Sequence, residues 1–328
     1  MQSNKNIWDL ADGQMKLPVY FPSISSVKGN YPAAVLADFL NAPALSVSHY
    51  LISAYDLIRT DEEHATQLQK ALSVATQSGK TILMDSGNYE AYWKAPVQPW
   101  LQDEFHKALK NFPCSIAFGF DEQAPPQDYK DHLKLLNERH EKDIAFGEDK
   151  IVPIVHAHST RLPALCKQFV IDQDLRSIAV AERMLGDGIF ERSLSVRAIK
   201  KALNETGSDV VLHLLGTGNP ISIATYAIEG ASSFDGLEWC QTVVDWDSAL
   251  LHHFSQSDFF RLQTSHGDGN RSDFHSRTFA HNIEFYRDWM NRLQVAISSL
   301  DGISFARGNF PDRIFSQLNH HLGWGAAK

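Results

Sequence analysis

Two aspartates stand in settings that suit covalent chemistry. Asp85 ends the apolar run TILM and is followed by Ser86 and Gly87, and Asp235 follows Ser233-Phe234 and precedes Gly236. Polar residues often mark where a strand stops. That explanation fits these two poorly, because each follows hydrophobic residues and has a small residue after it. Two carboxylates facing one cavity suit a double displacement at a sugar carbon, in which one attacks the anomeric carbon and the other handles protons. Such chemistry needs neither a metal nor a redox cofactor, and no cofactor is expected. The sequence has no Gly-rich dinucleotide fingerprint and no Walker-type Lys-Ser/Thr loop. Further polar groups close other apolar runs: Asp121-Glu122, His156-Ala157-His158, Glu182-Arg183 and Gly216-Thr217-Gly218.

Eight short β-rich runs must position these groups, at residues 18–24, 44–52, 81–87, 114–122, 150–158, 176–182, 209–216 and 232–239. Several are apolar at both parities, as strands buried on both faces should be. Helix-like segments lie between most of them. Thr60 to Glu63 reads as a capping box for a helix reaching about Ser78. Pro99 opens a helix to about Lys110, Pro125-Pro126 precede one to about Lys142, and Ser159 caps one to about Ile171. Residues 190–205 and 220–229 fill the next gaps, the second with Asn219 as N-cap and Pro220 at the first helical position. The first two runs are the weakest, with only a short helix at 32–41 between them. Strands alternating with helices imply a parallel sheet with right-handed crossovers, and eight such units predict a closed (β/α)8 TIM barrel. Its reactive groups then sit at the carboxyl ends of the strands.

The pattern changes after about Gln241. Residues 265–273 read as an exposed loop, followed by a long amphipathic helix at 279–299 and a shorter one near 311–321. The expected division is a catalytic barrel at 1–245 and a C-terminal helical extension at 246–328 packed on it. The chain has 328 residues, 43% of them hydrophobic and 21% charged, enough for a large core. With 30 Lys and Arg against 39 Asp and Glu, the formal charge is −9, which argues against wrapping nucleic acid by net charge alone. Cys114, Cys166 and Cys240 are too few and too scattered for a disulfide framework or a zinc knuckle. No secretory signal and no membrane-length apolar run is present, so a cytoplasmic location is expected.

Five segments in register resemble the tRNA-guanine transglycosylases. LMDSGNYEAYW (83–93) resembles that family's Asp-Ser-Gly-Gly-Phe-Gln segment, and AFGFDE (117–122) its fourth-strand segment. PIVHAH (153–158) stands where the family has Ile-Val-Gln-Gly-Gly, and SIAVAERMLGDG (177–188) where it has Gly-Gly-Leu-x-Val-Gly-Glu. Residues 213–240 resemble most closely the stretch from Tyr-Leu-Met-Gly-Val-Gly-x-Pro to the nucleophile. The resemblance covers about residues 18–240. It implies Asp235 as the nucleophile that attacks C1′, Asp85 as the proton-handling partner, and Asp121 as the reader of the purine edge. It also implies Tyr89 and Leu215 on the two faces of the base, with Ser86 and Gly87 lining the pocket. The amides near Gly216 and Gly218 would meet the base or a phosphate near the helix start at Asn219-Pro220. The implied partners are DNA or tRNA and a free purine or 7-deazapurine base, with a homodimer or a partner subunit as a further expectation.

The chain departs from the family pattern. Asn88 replaces a Gly, Glu90 a Gln, and His156 the Gln of the fifth strand. Residues Leu237 to Cys240 replace the Pro-Thr-Arg after the nucleophile, and the zinc motif is missing. Zinc on Cys240 with His252, His253, His266, His275 or His281 is not expected, and the departures point to a divergent member, with DNA 7-deazaguanine insertion the first candidate. Arg261, Arg271, Arg277, Arg287 and Arg292 could form a phosphate track, but Asp268, Asp273, Glu284 and Asp288 interleave with them. Two rival readings remain open. One is a metal-dependent barrel hydrolase using His156 and His158, two apart on one strand, with only His213 to join them as a further ligand. The other is a non-catalytic nucleic-acid-binding subunit.

Overall fold

The barrel is built from nine short parallel strands, β1 (Val19–Ile24), β2 (His49–Ser53), β3 (Thr81–Asp85), β4 (Ile116–Phe118), β5 (Ile151–Val152), β6 (Ile154–Val155), β7 (Ser177–Ala181), β8 (Val211–Leu215) and β9 (Ser233–Gly236). They belong to a computed structural model that describes residues 6–10, 13–26, 31–94, 98–266 and 273–325. Residues 267–272 of the expected loop, with Asp268 and Arg271, lie outside the described residues.

The order across the sheet is β5-β4-β3-β2-β1-β9-β8-β7-β6. Its two outer strands are consecutive in sequence and flank Pro153, so the sheet closes on itself within the single run KIVPIV. Proline has no N–H to donate, which interrupts the ladder. Its neighbours bridge the gap: Gly119 N donates to Val152 O at 2.9 Å and Ala179 N to Pro153 O at 2.9 Å. The expected (β/α)8-type barrel with C-terminal helices is the observed fold.

Strand alternation sorts the side chains. Phe21, Leu51, Leu83, Phe118, Val152, Ile154, Ala179 and Val211 form one buried cluster inside the barrel. The opposite parity, including Tyr50, Ile52, Ile82, Met84, Val180, Leu212, Leu214 and Phe234, packs outward against the helices. The inward parity continues upward to Ser23, Asp85, Ala181, Leu215 and Asp235. That is why Ser23, Asp85, Ala181 and Leu215, two or four positions beyond an interior apolar residue, and Asp235, two beyond buried Ser233, line one cavity at the carboxyl end.

Helix starts differ from expectation by a few residues. Asp61, not Thr60, caps Glu62–Gln77, accepting from His64 N at 3.0 Å. Gln102–Asn111 begins three residues after Pro99, and Leu162–Gln173 begins after Arg161 without a side-chain cap, so Ser159 does not cap it. The helix after Pro125-Pro126 is Tyr129–Gly147, capped by Asp128. Two hairpins, Ile7–Leu10 with Gly13–Lys16 and Thr242–Val244 with Leu251–His253, were not legible as strands.

The long C-terminal helix is Phe274–Ser298, followed by Gly302–Asn309 and Asp312–Leu322. Tyr286 stacks on Tyr20 of β1 with ring centres 4.4 Å apart, and its hydroxyl donates to Gly218 O at 2.6 Å. Buried Asn282 donates to Trp239 O and Thr242 O, each at 2.8 Å, and accepts from Val244 N at 3.0 Å. These bonds fix the chain just after β9. Asn282→Leu strands three buried backbone groups and is expected to cost about 3 kcal/mol or more, measured by urea denaturation.

Candidate active site

A cavity of about 310 Å³ opens at the carboxyl end of the barrel. Of the site residues expected from sequence, Asp85, Ser86, Tyr89, Asp121, His156, Leu215, Gly216 and Asp235 all line it. Gly87 does not line it but shapes it. Its φ is +86°, and a Cβ there would lie 2.7 Å from Tyr55 N, so only glycine lets the loop after β3 turn so tightly. Trp100 Nε1 donates to Ser86 O at 2.9 Å and holds the same loop from behind.

Asp235 is fixed from three directions. Ser23 Oγ donates to its Oδ2 at 2.7 Å, Gly216 N donates to Oδ1 at 3.0 Å, and His213 Nε2 lies 3.1 Å from Oδ1. His213 is buried, and Ser233 Oγ sits 2.8 Å from its Nδ1. With that hydroxyl donating to Nδ1, the imidazole carries its proton on Nε2 and donates to Asp235. A carboxylate has about four acceptor positions, so Oδ2 retains a lone pair toward the cavity. The Gly216 amide is thereby committed to Asp235 rather than free for a phosphate. The helix Pro220–Ile228 is likewise capped internally, Asn219 Oδ1 accepting from Ile221 N and Ser222 N.

Asp85 is different. Among the described residues, Gly87 N is the donor to it, at 3.1 Å. Burial, then the neighbouring charges of Glu90, Asp121 and Asp235, push its carboxyl well above the usual range. Asp85 is therefore the carboxyl that its surroundings bias toward the protonated form. Asp121 goes the other way. Burial alone would raise it, but His156 Nε2 at 2.5 Å, Asn88 Nδ2 at 2.7 Å and Ser86 Oγ at 3.0 Å hold it below the ordinary value. Gln123 also donates to its Oδ2.

Several lining residues escaped the sequence reading. Ser23 lies one residue before the end of β1, but the first run was too weak to be read at its end. Glu90, noted only as a departure, accepts from Ser25 Oγ and Ser53 Oγ, each at 2.6 Å. Burial, followed by the charge of Asp56, raises it to about 7. Glu238 is raised to about 7 chiefly by burial, with Glu182 and Asp235 adding to the rise. It fits because Gly218 and Gly236 have no side chain: a Cβ on either would lie within 2.4 Å of its Oε2. Glu182 accepts from Tyr226 at 3.0 Å and pairs with Arg192 at 3.0 Å.

Glu90 has a consequence for stability. A carboxyl raised in the folded state favours folding at low pH, and that contribution is lost as pH rises from about 4.5 through about 7. Glu90→Gln, which cannot ionise, is expected to gain about 1–3 kcal/mol over the parent at pH 8 and almost nothing at about pH 4. Urea titrations of both proteins at the two pH values measure it.

The metal-site candidates are not brought together. His156 is buried on Asp121, whereas His158 is exposed and bonds Thr160 at 3.0 Å. Cys240 Sγ donates to Leu237 O, His253 pairs with Ser255, His266 with Glu284, and His281 with Thr264 and Val244 O. Among the described residues no group of three or more His, Cys, Asp and Glu side chains is placed to hold a metal ion. Among them, too, no helix is long and apolar enough to cross a membrane. Compared with known proteins, the chain matches no protein-family model and no curated protein.

Proposed function

We propose that the chain is a base-exchange glycosyltransferase that replaces a guanine in nucleic acid, DNA or tRNA, with a 7-deazaguanine-type base. The observation that carries this reading is the pairing of two unlike carboxyl groups on one cavity. Asp235 is held as a hydrogen-bond acceptor by three donors, and the Asp85 carboxyl is raised by burial and neighbouring charge. A carboxylate held by donors suits the nucleophile, and a carboxyl raised by burial suits the acid.

In the first half-reaction Asp235 Oδ2 forms a bond to C1′ as the bond from C1′ to guanine breaks. The departing ring nitrogen takes the Asp85 proton. In the second, a nitrogen of the incoming base gives its proton back to Asp85 and attacks C1′, and Asp235 leaves as the carboxylate. Tyr89 and Leu215 line the cavity where a planar base needs two faces. The cavity also carries Glu90, Glu182 and Glu238, so the phosphates of the polymer stay outside and only an extruded nucleotide reaches Asp235. The resemblance over residues 18–240 supports the same reading.

The experiment is incubation of the purified protein with labelled guanine and labelled 7-deazaguanine bases, offering total tRNA and genomic DNA in parallel. Label retained in one polymer is the expected result and identifies the substrate. Absence of label from both overturns base exchange. Release of guanine without label uptake replaces it with hydrolysis.

A further inference from the structure

The carboxylate of Asp121 is saturated in a revealing way. Ser86 and Asn88 donate to Oδ1, and His156 and Gln123 to Oδ2, which fills its four acceptor positions. Ser86 and His156 are buried, but Gln123 is exposed on an irregular segment just after Asp121. The carboxamide of Gln123 faces two partners. Its Nε2 donates to Asp121, and its Oε1 accepts from Arg183 Nη2 at 2.6 Å. Gln123, Asp121 and Arg183 all line the 310 Å³ cavity.

A planar group that gives N–H to a carboxylate and offers C=O to a guanidinium is the pattern of a ring lactam. Guanine, hypoxanthine and 7-deazaguanine carry that edge; adenine and 2-aminopurine do not. We infer that Gln123 is a resident stand-in for the ligand's lactam edge, and that Arg183 acts with Asp121 as a specificity-determining residue, binding the carbonyl of the entering base. The inference rests on the base-exchange reading for the identity of the ligand. The contacts of Gln123 define the edge itself. Displacing it frees one acceptor position on Asp121 and the Arg183 fork together, and a base lacking the carbonyl recovers only half of what is given up.

Calorimetry on the full chain with free guanine, hypoxanthine and 2-aminopurine tests this without requiring turnover. Gln123→Ala is expected to bind guanine and hypoxanthine about 5-fold more tightly, because no internal group has to leave. Arg183→Met is expected to weaken both by about 10-fold and to leave 2-aminopurine unchanged. Both side chains are exposed, so neither truncation opens the barrel core. If guanine binds all three proteins equally, the stand-in is overturned while base exchange stands. Equal weakening of 2-aminopurine by Arg183→Met overturns the carbonyl role. If guanine binds none of them, the base-exchange reading fails and this inference falls with it.

Discussion

Asp235→Ala is expected to lower label incorporation by on the order of 10⁴-fold or more, and to erase any covalent protein–nucleic acid species on a denaturing gel. No lining residue other than Asp235 combines the same three kinds of support: a strand-end hydroxyl, a backbone amide and a buried imidazole. Those donors steady the charge on the leaving carboxylate when the second half-reaction breaks its bond to C1′. Glu90 and Glu238 line the same cavity, but burial raises each to about 7, so each is a poorer leaving group than an ordinary carboxylate. Alanine also deprives Ser23, His213 and Gly216 N of their acceptor, which costs stability. Asp235→Asn keeps an acceptor oxygen and nearly the same shape. It should therefore melt closer to the parent than Asp235→Ala while being just as inactive. Retention of full exchange activity by either variant removes Asp235 from the mechanism.

The candidate site at the carboxyl end of the barrel was legible because side-chain placement there is tied to strand parity. Once Leu83 and Phe234 are read as strand residues, Asp85 and Asp235 fall at positions that must be near a carboxyl end, and the structure lines one cavity with both. Parity alone also implicates Ser23, two residues beyond Phe21, but the run at 18–24 carried too weak a helix after it to be trusted at its end. His213 was noticed only as a metal candidate. Its place beneath Asp235 depends on the alignment of β8 with β9, which no local pattern encodes. Pro153 reads locally as a strand breaker. Its position at the point where the sheet closes follows from which strands flank it in space. Where a side chain does cap, as Asp61 does beside Thr60, neighbouring polar side chains compete for the first amides and the geometry chooses between them. The Glu238 slot is the least legible feature. It depends on Gly218 and Gly236 meeting across two different strand ends, with a Cβ on Gly236 only 2.7 Å from the Gly218 Cα.

Asp85→Asn is expected to lower the exchange rate by about 10²–10⁴-fold and, more tellingly, to change its dependence on pH. The first half-reaction needs the Asp85 proton. The carboxyl is raised first by burial and next by the charge of Glu90, so the competent protonated form reaches to higher pH than in an ordinary carboxyl and is lost as pH climbs through the raised value. The parent should therefore show an alkaline limb in kcat/KM for the nucleic acid, and the asparagine variant should lack it. Glu90→Gln tests the cause of the shift. It deletes the second-largest contribution while leaving Asp85 in place, so the alkaline limb should move to lower pH without disappearing. A structural role for Asp85 alone would lower the rate equally at every pH and would leave the limb where it was in the Glu90 variant. Movement of the limb with Glu90, and its loss with Asp85, ties the proton to one carboxyl group and its elevation to the negative neighbours around it.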